Sequence, residues 1–183
     1  MEIKTSVIGC GLMGSAIARA LHRKGRYVSA FNRSPAPLKA LHERGIATTT
    51  EIDVAIERAD ILIVVLSSYS AIRSVLDRAK EGALKGKLML NLTSGNPSDA
   101  AEMDRTAGDL GMGYLDGSIW ALPSMIGCDE TVITVAGSAR LWREAEPVVA
   151  QLGGSSFYAG ERIESGNVLE ACFPGSFFMT AQN

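Results

Sequence analysis

A doubly wound α/β sheet, mostly parallel, is the fold that the sequence predicts, and three observations predict it. Short apolar runs alternate with helix-patterned segments along most of the 183 residues, the pattern of strand–helix–strand units. One run, I-L-I-V-V-L at 61–66, is rich in β-branched residues and has no polar face, as in a central parallel strand buried on both sides. The first run ends at Val7-Ile8 and passes through Gly9-Cys10-Gly11-Leu12-Met13-Gly14 into an amphipathic segment. That is G-x-G-x-x-G between a strand and a helix, the context in which the motif carries weight.

The elements follow in order. Residues 3–8 form a short buried strand, and a helix covers 12–24, with Ile17, Ala18 and Leu21 at helical spacing and Gly25 as its stop. Residues 27–32 are a second strand, 37–44 a helix ending at Gly45, and 47–49 a minor strand. Asp53 is placed to cap a short helix running to Arg58, after which come the strand at 61–66, a helix at 71–79 and a strand at 88–92. A helix at 99–110, a short strand at 114–115, a strand at 131–136, a helix at 139–152 and a strand at 156–158 complete the alternation. Right-handed crossovers would join them. The character changes near 160–166. Val168, Leu169, Ala171, Cys172, Phe173, Phe177, Phe178 and Met179 make an apolar segment in which Pro174 and Gly175 would kink or break a helix.

Each glycine of the turn has a task. Gly9 permits the tight turn, Gly11 leaves room for phosphates to approach the backbone, and Gly14 lets helix and strand pack closely. Free N–H groups of the first turn, at Leu12 and Met13, then face an anion. At the end of the second strand an acid would bind the ribose 2′-hydroxyl of NAD, but Asn32-Arg33-Ser34 stands there. An arginine and a serine suit a 2′-phosphate, which makes NADP, as NADPH, the expected cofactor, with Lys39 as a further cation. Leu66 ends the 61–66 strand and Ser67 and Ser68 follow it, and all three are candidates for contacts to the cofactor, the serines to its ribose or phosphate. Thr93 and Ser94 follow the 88–92 strand, where they would either touch nicotinamide and substrate or stabilise a turn. Asp116 is read as organising the turn into Gly117; Trp120, Leu122 and Met125 are read as cleft wall, core, or contact to another domain.

Composition narrows the remaining classes. With 46% hydrophobic and 21% charged residues the chain suits one globular domain and the beginning of another. A net charge of −2 gives no general attraction to nucleic acid, and the basic residues between Arg19 and Arg44 read as solvated helix faces. Three cysteines without C-x-x-C spacing argue against a disulfide framework or zinc site and fit a reducing cytoplasm. The start Met1-Glu2-Ile3-Lys4 is no signal peptide, and the six-residue run at 61–66 is far too short to span a bilayer. His22 and His42 lie in polar helical surroundings, so neither a Ser/His/Asp triad nor a metal site is expected.

Asn91-Leu92-Thr93-Ser94-Gly95 followed by Pro97, and Tyr114-Leu115-Asp116-Gly117-Ser118-Ile119 followed by Ala121, Pro123 and Ile126-Gly127, resemble the NADPH-dependent imine reductases. These belong to the wider β-hydroxyacid dehydrogenase and 6-phosphogluconate dehydrogenase group. Gly137-Ser138, Leu152-Gly153-Gly154, Tyr158 and Gly160 extend the likeness over nearly the whole nucleotide domain. The resemblance implies a Rossmann domain at 1–162 and the start of an interdomain helix at 163–183, with the C-terminal helical domain absent from the sequence. It also implies a homodimer formed through the helical region, and an imine or carbonyl compound as substrate. Ser165-Gly166-Asn167-Val168-Leu169-Glu170 resembles the S-G-x-x-x-K start of that helix in the hydroxyacid dehydrogenases, with Glu170 in the lysine's place. A lysine suits a developing alkoxide and a carboxylate suits a cationic iminium, so Glu170 becomes the candidate proton donor, its alternative being a solvated helix residue. The expected activity is imine reduction; the alternatives are a β-hydroxyacid dehydrogenase and a non-catalytic NADP-binding module.

Overall fold

A computed structural model describes the backbone of residues 3–180 and the side chains of residues 3–172. Eight strands form one sheet: β1 (Thr5–Ile8), β2 (Val28–Phe31), β3 (Ala47–Thr49), β4 (Ile61–Val64), β5 (Leu88–Asn91), β6 (Gly113–Trp120), β7 (Val132–Gly137) and β8 (Ser155–Tyr158). Their order across the sheet is β3-β2-β1-β4-β5-β6-β7-β8. The first six are parallel, β7 runs antiparallel to β6, and β8 is parallel to β7. The winding reverses between β1 and β4, and in such sheets the crevice beyond the strands' carboxyl ends at that reversal is where ligands bind.

Helices cover both faces. Val7, Ile63, Leu90 and Leu115 point to one side, where they join a buried cluster with Ile17 and Leu21 of α1 (Leu12–Arg23). The same cluster holds Leu41 of α2 (Lys39–His42) and Trp142 and Val149 of α6 (Ala139–Val149). Ile8, Leu62, Val64 and Met89 point to the other side. There they meet Ile56 of α3 (Ile52–Glu57), Ile72 of α4 (Tyr69–Leu76) and Met103 of α5 (Pro97–Asp109). Burial on both faces explains why these strands read as continuous apolar runs rather than alternating ones. Truncating one of their leucines to alanine typically costs about 2–5 kcal/mol.

The structure corrects four expectations. The strand expected at 114–115 is the eight-residue β6, hidden because Asp116-Gly117-Ser118 does not look like strand sequence. Gly117 is needed there: a Cβ would lie 2.5 Å from the Thr134 carbonyl oxygen of β7. The fifth helix begins at Pro97, because Asn96 accepts from the N–H groups of Ser98 and Asp99 while Asp99 accepts from that of Asn96. Asp53 caps no helix; its carboxylate accepts from the Lys80 N–H at 2.9 Å. Finally, α7 (Ser165–Thr180) runs through Pro174 and Gly175 without a break. The proline removes one N–H and leaves the Glu170 carbonyl without its helical partner, a local loss that the neighbouring turns survive. The apolar side chains of Phe173, Phe177, Phe178 and Met179 lie outside the described residues.

The turn from β1 into α1 sets the tightest steric demand. Gly9 has φ +100°, and a Cβ there would meet the Val65 carbonyl oxygen at 2.2 Å; a Cβ on Gly14 would come 1.8 Å from the Gly9 carbonyl oxygen. A Cβ on Gly11 would meet nothing within 4 Å. Gly14→Ala is therefore expected to cost about 3 kcal/mol, and Gly11→Ala about 1 kcal/mol or less, in urea unfolding of the two variants. Equal costs would show that the helix moves freely away from the strand.

Candidate functional site

Hydrogen bonds fix the glycine loop from β2. The Gly9 N–H donates to the Phe31 carbonyl at 2.9 Å, and the Cys10 N–H to Asn32 Oδ1 at 3.1 Å. The Cys10 thiol donates to the same Phe31 carbonyl at 3.3 Å, and burial pushes its pKa up to about 12, so it packs and does not react. Gly11 is the N-cap of α1 and brings no capping side chain, and the first turn holds no acid. Its N–H groups are thus left for an anion from outside. Open space over Gly11 matches that reading, because the protein itself makes no use of the missing Cβ. Leu12, 83% exposed, and Met13, partly buried, stand at the mouth of the loop. The loop fits a dinucleotide pyrophosphate.

Beside it opens a cleft of about 490 Å³, lined by Gly9, Asn32, Arg33, Ser34, Leu66 and Ser67 on the loops and by Arg78 beyond α4. Asn32 is mainly a lacing residue: besides holding the Cys10 N–H, its Nδ2 donates to the Ser34 carbonyl at 3.0 Å and Oγ at 3.2 Å. Arg33 is left exposed to the cleft. Lys39 does not line it. Ser68 instead caps α4, accepting from the Ala71 N–H at 3.2 Å, and the Thr93 hydroxyl accepts from the Leu66 N–H at 3.0 Å. Both hydroxyls help to hold loops. A larger cavity, about 630 Å³, borders Leu88, Gly113 and Gly137 at the opposite edge, away from the strands' carboxyl ends.

The residue that sequence reasoning placed in a turn is the centre of a buried network. Asp116 lies in β6 and is 1% exposed. Its Oδ1 accepts from Tyr69 Oη at 2.6 Å, Tyr114 Oη at 2.7 Å and Asn91 Nδ2 at 2.8 Å; its Oδ2 accepts from Asn167 Nδ2. Burial raises the Asp116 pKa to about 6, opposed by the Tyr114, Tyr69 and Asn91 donors and reinforced by the charge of Glu170. Tyr69 and Tyr114 are in turn driven up, first by their own burial and then by the Asp116 charge. Gly166 lets α7 approach β6, since a Cβ there would already touch the Asp116 carbonyl oxygen at 3.2 Å.

One turn after Asn167, Glu170 leaves α7 toward the carboxyl edge. Ser94 Oγ donates to its Oε1 at 2.7 Å and Ser118 Oγ to its Oε2 at 2.8 Å. The carboxylate is therefore aimed by two hydroxyls from β6 and the β5–α5 loop, and among the described residues no cation pairs with it. Sequence reading found Glu170 and Ser94 but not Ser118. Trp120 ends β6 and is partly buried, while Leu122, 66% exposed, follows it. Among the described residues no group of His, Cys, Asp and Glu could hold a metal ion, and no helix is long and apolar enough to cross a membrane.

Residues 4–160 match the family described as the NAD binding domain of 6-phosphogluconate dehydrogenase. An NADPH-dependent reductive aminase of Aspergillus oryzae is 30% identical over 158 residues, covering 86% of this chain and 53% of that protein. Among solved structures, an imine reductase from Myxococcus stipitatus with NADP+ superposes with a TM-score of 0.90 at 32% identity, over 98% of this chain and 64% of that one. Its V8 variant with NAD+ gives 0.92 at 31%. A reductive aminase from Aspergillus terreus, in complex with NADPH4, cyclohexanone and allyl amine, gives 0.89 at 31%, over 100% of this chain and 64% of that one. The chain thus spans about half the length of that curated relative and under two thirds of the solved ones.

Because its folded-state pKa is raised, Asp116 binds its proton more tightly in the native state than in the unfolded chain. Its contribution to stability therefore falls as pH rises from about 4 to about 6, by on the order of 3 kcal/mol at 1.4 kcal/mol per pKa unit. The stability of the wild type minus that of Asp116→Asn, from urea unfolding at each pH, should fall across that window and be level above it. A difference that stays flat would refute the raised pKa.

Proposed function

The chain belongs to the NAD-binding-domain family of 6-phosphogluconate dehydrogenase, and on that premise we propose that it binds NADPH and reduces the C=N bond of an imine or iminium ion. The observation that carries the reading is Glu170, a carboxylate held by Ser94 and Ser118 at the carboxyl edge with no cation beside it among the described residues. An alkoxide would be repelled there and an iminium stabilised. The protonated carboxyl group can also give its proton to an imine nitrogen. The solved relatives that bind NADP+, or NADPH4 with a ketone and an amine, support the same chemistry.

On this reading the 9–14 loop holds the pyrophosphate, Arg33 and Ser34 take the adenosine 2′-phosphate, and Leu66 and Ser67 line the way between. The bound cofactor supplies hydride. The chain's own residues orient the partners and place the proton: Ser94 and Ser118 fix the Glu170 rotamer, and Asn167 fixes the helix that carries it. Residues 1–162 are the nucleotide domain, residues 163–183 begin the interdomain helix, and a homodimer formed through the helical region closes the substrate pocket. Exposed Leu122, Val168 and Leu169 support that extension. A reducing, cytoplasmic setting suits Cys10, Cys128 and Cys172, all free thiols.

NADPH oxidation in the presence of a cyclic imine, or of a ketone with a primary amine, tests the activity. Turnover of β-hydroxyacids with NADP+ but not of imines would instead make the protein a hydroxyacid dehydrogenase; tight NADPH binding with no turnover would make it a binding module. NADPH is expected to bind more tightly than NADH, with Arg33→Ala losing about 1.5–3 kcal/mol of that preference in fluorescence titration. Glu170→Gln should leave NADPH affinity intact and lower imine turnover about 10²–10⁴-fold. Unchanged turnover would return Glu170 to the helix surface.

A further inference from the structure

Two arginines line the cleft beside the glycine loop, and they come from different elements. Arg33 follows β2, whereas Arg78 lies in the turn after α4, its N–H donating to the Val75 carbonyl at 3.2 Å. Ser70, Ser74 and Arg78 recur every four residues and all line the cleft, with Ala71 and Val75 beside them. They make a strip about 12 Å long at 1.5 Å per residue. The hydroxyls and small apolar groups leave room for a flat ring and a sugar, and the arginine stands at the strip's far end. None of the residues lining the cleft is acidic, although the chain as a whole carries a charge of −2. Among the described residues neither guanidinium makes a hydrogen bond or an ion pair, while Arg73 and Arg140 are both matched with glutamates. A cleft lined by a single sign of charge concentrates the opposite charge.

We infer that Arg78 is a second reader of the adenosine 2′-phosphate, sharing it with Arg33 in the one cleft that both line. The inference rests on the NADPH reading and extends it, for an arginine after β2 alone would leave part of a doubly charged phosphate to water. Two guanidiniums supply more donors than one, and the anion removes the repulsion between them. Arg78 also does the work that the sequence assigned to Lys39, which is not part of the cleft.

Calorimetric titration with 2′,5′-ADP and with 5′-AMP tests this on the chain itself, since the two ligands differ only in the 2′-phosphate and neither requires turnover. The unmodified protein should prefer 2′,5′-ADP. Arg78→Ala should weaken 2′,5′-ADP about tenfold or more, the size of one charge-assisted contact, and leave 5′-AMP unchanged. Arg78→Lys should recover part of the loss, and the Arg33→Ala, Arg78→Ala double variant should bind the two ligands about equally. If Arg78→Ala keeps the full preference while Arg33→Ala loses it, the role given to Arg78 is wrong and the NADPH reading stands. Equal weakening of both ligands by Arg78→Ala would likewise overturn it, as the mark of a general effect on the cleft. No preference in the unmodified protein would remove the NADPH reading, and this inference with it.

Discussion

A carboxylate taken out of water must be met by donors from whatever packs around it, and at Asp116 those donors come from four elements. Tyr69 opens α4, Asn91 closes β5, Tyr114 shares β6 and Asn167 lies in the first turn of α7. Moving any one of them away would strip the buried charge of one of its four donors, a cost that helps to hold all four in register. The same residues continue into the site. Asn91 Oδ1 accepts from the Thr93 N–H at 3.0 Å, and Thr93 Oγ1 accepts from the Leu66 N–H, so the loops after β4 and β5 are tied together through the side chains of Asn91 and Thr93. A ring of Tyr69 packs where a Cβ on Gly95 would be, at 2.3 Å, which brings the Ser94 loop onto α4. The orientation of Glu170 is thus set from below, by the turn of α7 that Asn167 anchors.

The glycines of the cofactor loop divide by the reason each is needed. Gly9 and Gly14 answer to the protein, because β1, α1 and the strand end at Val65 approach so closely that no side chain fits. Gly11 answers to something outside it: the space over it is open and the N–H groups next to it have no capping side chain. The open face over Gly11 leaves room for an anion to reach those N–H groups. That asymmetry fits a loop shaped to receive an anion.

Much of this was legible in the sequence, and the limit of legibility has a physical basis. The glycine loop, the β-branched β4 and the Asn32-Arg33-Ser34 turn declare themselves through local pattern, so the parallel half of the sheet and one wall of the cleft could be read directly. Asp116 could not. An aspartate next to a glycine reads as a turn, and what makes it a buried strand residue is a set of donors 47, 25 and 51 positions away, together with Tyr114 two residues before it. Arg78 is hidden for the same reason: it enters the cleft only because α4 packs against the β1–β4 reversal, 45 positions after Arg33 in the chain. Asn32 shows the converse, a residue picked out by its position in the turn whose side chain is spent on holding the Cys10 and Ser34 backbone.

The charge of Glu170 reaches the buried carboxyl group of Asp116. Glu170 is among the causes that raise Asp116, and the donors around Asp116 are what keep it ionised at neutral pH in spite of burial. Asp116 therefore adds a fixed negative charge behind Glu170 at neutral pH. A cation in front of Glu170 is attracted by both, whereas an oxyanion would be repelled by both. On the proposed reading, a lysine at position 170 would reverse that preference. The identity of one side chain on α7, set against a carboxylate already committed to the fold, decides which sign of charge the site can stabilise.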